Sequence, residues 1–144
     1  MDKVALVELP VYVESVLTRL PDADGVATII ALRGELGSGK TTFVQGLARA
    51  VGVTNIVQSP TYVLMKSYDI SYKKFTKLIH IDAYRLNDPE EFKTLQPEKF
   101  LKDPHNLVCV EWPERVGKLL PIPDMVISFS ADNASEGERF ITIL

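Results

Sequence analysis

At 144 residues the chain fits one domain with room for a hydrophobic core, and its 46% apolar and 24% charged residues are ordinary for a soluble globular protein. Its 16 basic and 19 acidic residues give a net charge of -3. That balance argues against a free-standing nucleic-acid binder, which draws affinity from a basic excess, so any work on RNA is expected to be indirect. No secretory leader opens the chain, and no run approaches the roughly eighteen apolar residues of a membrane span, so the expected location is the cytoplasm.

In chain order, "KVALVEL" predicts a first strand, with Pro10 as a break. "VYVESVLTRL" places Tyr12, Val16, Leu17 and Leu20 on one helical face. "PDADG" carries turn residues, and "VATIIALR" reads as a strand covered on both faces. After the run "GELGSGKTT", the segment "TTFVQGLARAV" has helical spacing and Gly52 as its stop. "TYVLMKSYD" and "FTKLIHID" predict a hairpin with "ISYKK" as a loop too long to be tight. "DPEEFKTLQPEKFLKD" predicts polar helix, with Pro89 and Pro97 near two starts. "NLVCVEW" is a buried strand holding the one cysteine, Cys109, which has no partner for an intramolecular disulfide and is expected to be buried and inert. A short helix in "PERVGKLL", a stop at "PIP", and strands "DMVISFS" and "ERFITIL" complete the chain. Interleaved strands and helices predict an α/β fold: one P-loop NTPase domain over 1–144, its mixed sheet of parallel strands plus a hairpin flanked by helices.

The chemistry concentrates in "GELGSGKTT". Gly34, Gly39, Lys40 and Thr41 match G-x-x-x-x-G-K-[ST], set between a buried strand and a helix as the motif requires. Glycines let backbone N–H groups converge on an anion, and the helix N-terminus adds unpaired donors and partial positive charge. Lys40, expected to be exposed in the empty loop, would reach the β- and γ-phosphates, and the Thr41 hydroxyl would ligate Mg2+. Two carboxylates follow apolar strand residues and can face the same phosphates: Asp82 after "KLIHI" and Glu111 after "LVCV". His80 is expected only to line the sheet face, and His105 to be solvent-exposed. The N-K-x-D loop of guanine specificity is absent from the sequence, which favours adenine.

"GELGSGKTTFVQGLARAVG", "SPTYVL", "HIDAYRL" and "VEWPERV", in that order, resemble the bacterial ATPase family TsaE, which serves in making the threonylcarbamoyl adenosine of tRNA. The resemblance implies an ATP-hydrolysing accessory subunit that acts on a threonylcarbamoyl transferase subunit and its inactive paralogue, touching tRNA only through that complex. It implies that Gly37, Ser38, Gly39, Lys40, Thr41 and Thr42 hold the phosphates of ATP, with Thr41 and Glu111 on Mg2+. Asp82 would assist the metal or place the attacking water, so Lys40, Asp82 and Glu111 would carry the catalysis. Ser59, Pro60, Thr61 and Tyr62 would form a switch-like loop near the γ-phosphate, with Pro60 restricting the backbone beside the Thr61 hydroxyl. Trp112 would lie beside the nucleotide, where the residues alone leave both cleft and core open.

Glu35 and Ser38 stand where the family commonly has Asp and Ala, and "TLQPEKFLKD" lacks the family's glycine-bearing pattern. Two rival readings are a small-molecule P-loop kinase and a nucleotide switch or scaffold that does not hydrolyse. The kinase is disfavoured because Arg85 and Arg115 are too isolated to form an arginine lid.

Overall fold

Four apolar segments form the parallel centre of the fold. The structure is a computed structural model that describes residues 2–21, 25–53, 64–132 and 134–144. Strands β2 (Thr28–Arg33), β4 (Phe75–Asp82), β5 (Asn106–Glu111) and β6 (Met125–Ser130) run parallel, with β2 between β5 and β6 and β4 outside β5. β3 (Met65–Tyr72), β7 (Glu138–Ile143) and β1 (Asp2–Ala5) add antiparallel edges, giving the order β1-β7-β6-β2-β5-β4-β3. This is the mixed, mainly parallel α/β sheet that the sequence predicts. All six residues of β5 are buried, as expected for a parallel strand covered on both faces.

Helices α1 (Leu9–Thr18) and α2 (Lys40–Ala50) cover one face of the sheet. There Leu9, Val13, Val16 and Leu17 meet Phe43, Val44 and Leu47 over Ile30, Leu107 and Ile127. Gly46 lets the two helices approach closely, since a Cβ there would lie 3.4 Å from Val13 Cγ2. Short 3-10 segments cover the other face, where Phe92, Phe100 and Val116 pack on Ile29, Ile79, Val108 and Val110. Cys109 is buried as expected, and burial pushes its thiol pKa far up.

Several local expectations change. The first strand ends at Ala5, and Pro10 lies in the first turn of α1 instead of breaking the chain, because a missing N–H costs nothing there. The inward residues of α1 are Leu9, Val13, Val16 and Leu17, while Tyr12 and Leu20 are only partly buried. The hairpin loop is tight: β3 continues through Tyr72, which pairs with Phe75, leaving Lys73 and Lys74 as a two-residue turn with Lys73 at φ 51°. The helical segments expected here do start at Pro89 and Pro97 and lie in "PERVGKLL", and all four (Pro89–Leu95, Pro97–Lys99, Pro113–Arg115 and Gly117–Leu119) are of the 3-10 form, being short and interrupted by proline and glycine. Among the described residues no helix is long and apolar enough to cross a membrane.

Parallel strands β2, β4 and β5 all end on one side of the sheet, and α2 begins there. Chemistry in such folds gathers at that edge, outside the carboxyl ends of the strands.

Candidate functional site

The loop between β2 and α2 is built around glycines in conformations that other residues rarely adopt. At Gly34, φ is 149° and a Cβ would come within 2.6 Å of Ser38 Oγ and 2.7 Å of the Phe129 carbonyl. Gly39 caps α2 in the left-handed region at φ 107°, with Arg139 Cγ 3.4 Å from where its Cβ would stand. The loop is thereby pressed against β6 and β7, and its end opens the first turn of α2.

Lys40 is not exposed, contrary to expectation; it is 5% accessible. Its ammonium donates to the Gly34 carbonyl and, at 2.9 Å, to the Glu35 carbonyl, and lies 4.5 Å from the centroid of the Trp112 ring. The ammonium thus has its partners in the carbonyls of its own loop and in an aromatic face. Burial holds its pKa below the ordinary lysine value, against the opposing pull of Glu111 and Asp82.

Asp82 and Glu111 close β4 and β5 as direct register partners. Their side chains therefore leave the sheet on the same face, the one α2 covers. Glu111 is 3% accessible, and Thr41 Oγ1 stands 3.2 Å from each of its carboxylate oxygens. Asp82 is half-buried, and its Oδ1 accepts from the Tyr84 amide at 3.1 Å.

A cavity of about 250 Å³ joins these groups, running from Leu36 and Gly37 across Thr41 to Asp82, Glu111 and Trp112. A more apolar cavity of about 220 Å³ lies on the far side of Gly39 and Thr42, lined by Leu6, Leu9 and Phe129. Arg139 borders both and donates from Nε to the Gly37 carbonyl at 3.3 Å.

Trp112 turns into the cleft. Its backbone adopts φ 60°, just before Pro113, so the period-two alternation of β5 ends at Glu111. The indole packs on Tyr84 at 5.1 Å between centroids, and the Arg115 guanidinium lies over both rings.

The structure thus gathers Gly37, Gly39, Lys40, Thr41, Thr42, Asp82, Glu111 and Trp112 around one cavity, with Ser38 buried in the loop beside it. Ser59, Pro60, Thr61 and Tyr62 lie outside the described residues. His105 is on the surface as expected, its Nδ1 3.0 Å from Asp103. The expectation for His80 falls short: it is wholly buried and its Nε2 is 2.5 Å from Glu111 Oε2. One signal for it was present, since a residue two before Asp82 on a strand shares its face. Arg139 had no local signal, because its contact with Gly37 spans 102 residues.

The Thr41 hydroxyl and the carboxylates of Asp82 and Glu111 at the cavity suit a hard divalent cation such as Mg2+. Among the described residues no three His, Cys, Asp or Glu side chains gather into a closed metal cage.

The family model described as "Threonylcarbamoyl adenosine biosynthesis protein TsaE" matches residues 9–141. A relative from Synechocystis sp. is 41% identical over 97 residues, covering 65% of this chain and 59% of that protein. One from Haemophilus influenzae is 34% identical over 102 residues, covering 71% and 62%. Both bear the name tRNA threonylcarbamoyladenosine biosynthesis protein TsaE, and the match spans less than two thirds of either one's length. The crystal structure of YdiB from Bacillus subtilis superposes with a TM-score of 0.71 at 26% identity, covering 99% of this chain and 83% of YdiB.

Proposed function

This chain belongs to the TsaE family of threonylcarbamoyl adenosine biosynthesis proteins, and from that premise we propose that it is a Mg-dependent ATPase working as an accessory subunit in that tRNA modification. It binds ATP with its phosphates on the loop Gly37–Thr42 and its base in the apolar cavity beyond Gly39, between Leu6 and Phe129. The observation that carries this reading is Thr41 Oγ1 at 3.2 Å from both oxygens of a nearly buried Glu111, at the helix end where a glycine loop holds its lysine. Such a hydroxyl–carboxylate pair beside unpaired backbone donors has the form of a Mg-nucleotide site.

Thr41 and Glu111 would hold Mg2+, which would supply positive charge to offset that of the phosphates. Lys40 turns from the carbonyls of Gly34 and Glu35 to the β- and γ-phosphates. Asp82, beside Glu111 in the sheet, orients the attacking water or a ligand of the metal. Trp112 and Tyr84 wall the cleft and limit solvent access. Hydrolysis is slow without partners and drives or resets the complex of the threonylcarbamoyl transferase subunit and its inactive paralogue, in the cytoplasm, with tRNA reached only through that complex.

Two measurements test the proposal. Calorimetric titration with Mg-ATP should show one site, lost in Lys40→Ala. Turnover measured alone and with the transferase pair should rise with the pair present. Phosphate transfer to nucleosides or other small acceptors would favour a kinase, and binding without turnover under both conditions would make the chain a nucleotide-dependent scaffold.

A further inference from the structure

Directly beneath Glu111 stands a side chain to which the nucleotide reading gives no work. His80 is fully buried on β4, with Nε2 2.5 Å from Glu111 Oε2. It pairs in register with Cys109, two residues before Glu111 on β5, so both side chains rise from the same face of the sheet. Its Nδ1 is buried and has no hydrogen-bond partner among the described residues.

A carboxylate at 3% accessibility needs donors, and Thr41 has one hydroxyl hydrogen for the two oxygens it faces. His80 supplies the second. A buried N–H without a partner is rarer in folded proteins than a buried acceptor with a free lone pair, so the tautomer that fits carries its proton on Nε2. That tautomer donates to Oε2 and leaves only a lone pair unpaired at Nδ1.

We propose that His80 is a positioning residue: its Nε2–H fixes the Glu111 carboxylate beside Thr41 and so sets the affinity of the cleft for the divalent cation that enters with nucleotide. The inference rests on the reading of Glu111 as a metal ligand. Partners that orient a ligand from behind commonly govern metal affinity in this way.

The wild-type protein offers the first test. It has two histidines, so a two-bond 1H–15N spectrum compared with that of His105→Asn assigns His80. The Nε2–H tautomer is expected, with resonances that move when Mg2+ is added to ATP-saturated protein and stay in place with ATP in EDTA. The second test compares His80→Leu with His80→Gln, whose side-chain amide nitrogen is as many bonds from Cβ as Nε2 of histidine. Mn2+ affinity in the presence of ATP, read by electron paramagnetic resonance, should fall about tenfold or more in His80→Leu and return to within about threefold of wild type in His80→Gln. Affinity for ATP in EDTA should be the same in all three proteins. Wild-type Mn2+ affinity in His80→Leu, no recovery in His80→Gln, or His80 resonances indifferent to Mg2+ would each overturn the proposal. If His80→Leu does not fold, the wild-type spectra decide. Failure of the wild type to bind Mn-ATP would instead remove the metal-site reading beneath it.

Discussion

Thr41 Oγ1 and the carboxylate of Glu111 meet at 3.2 Å although 70 residues separate them in the chain. The contact joins the start of α2 to the end of β5. If this pair receives Mg2+, Thr41→Ala and Glu111→Ala should each weaken Mg-ATP binding by about tenfold or more, with ATP binding in EDTA much less affected. Titration calorimetry with and without EDTA measures both. A uniform loss under the two conditions would mean that the pair shapes the loop and does not hold a metal.

Asp82→Ala should behave differently from Glu111→Ala. Asp82 is half-buried beside the cleft, its Oδ1 accepting from the Tyr84 amide, whereas Glu111 is nearly buried against Thr41. Removal of Asp82 should lower turnover by roughly a hundredfold, the scale of one lost acid–base or water-orienting group, while sparing ATP affinity more than Glu111→Ala. Equal losses of affinity would show that both acids act through the metal.

Lys40→Met should abolish Mg-ATP binding, and its stability should reveal the burial of the ammonium. The folded-state pKa of Lys40 lies below its ordinary 10.5. Between those two values the unfolded chain binds more protons, so wild-type stability rises with pH relative to Lys40→Met. Below the depressed value the difference is constant, and the penalty of charging the buried group is fully present. Urea melts of both proteins from pH 7 to 10.5 give the comparison, and parallel curves throughout would deny the shift.

Trp112 should report the state of the loop. It is the one tryptophan in the sequence, and the Lys40 ammonium lies 4.5 Å from its ring centroid. Mg-ATP should draw that charge away and change the emission in intensity or wavelength. Lys40→Met should shift the spectrum by itself and remove the response to nucleotide. A spectrum unmoved at saturating Mg-ATP would mean that Lys40 keeps its place when the site fills.

Gly34→Ala should destabilise the protein by about 1–3 kcal/mol, the usual scale for a strained backbone or an overpacked site. The added methyl would meet the Phe129 carbonyl at 2.7 Å, a backbone atom that cannot rotate away. Gly37→Ala, with open space where its Cβ would stand, should cost less because only its φ of 75° is strained. Denaturant melts of the two variants test that order.

The sequence showed the parts of the site that depend on local pattern. Strand, glycine loop and helix are contiguous, and the apolar runs ending in Asp82 and Glu111 announce strands that finish in acids. It did not show what depends on strand order. His80 reaches Glu111 because β4 lies beside β5, and Arg139 reaches Gly37 because the last strand folds back past the loop; neither adjacency has a local signature. Lys40 was misread for another reason. Its burial follows from the carbonyls of Gly34 and Glu35 and the face of Trp112, which become available together only once the loop has closed. The helix starts at Pro89 and Pro97 were legible, but their 3-10 form and the two-residue hairpin turn were not, because short elements take their form from the ends they must join.

Glu111 ends a strand whose six residues are all buried between two parallel neighbours. Such a strand opens only when the sheet as a whole does, so its amides should exchange with solvent on the timescale of global unfolding. Among the described residues, the glycine loop facing it is held by hydrogen bonds from the Lys40 and Arg139 side chains and by a short turn, Ser38 N to Glu35 O. Its amides should exchange through small local openings that leave the sheet intact. A ligand entering the cleft therefore meets a wall of fixed charge on one side and a wall of adjustable donors on the other. Slow exchange in the sheet and local exchange in the loop thus adjoin where Glu111 stands 3.2 Å from the first turn of α2.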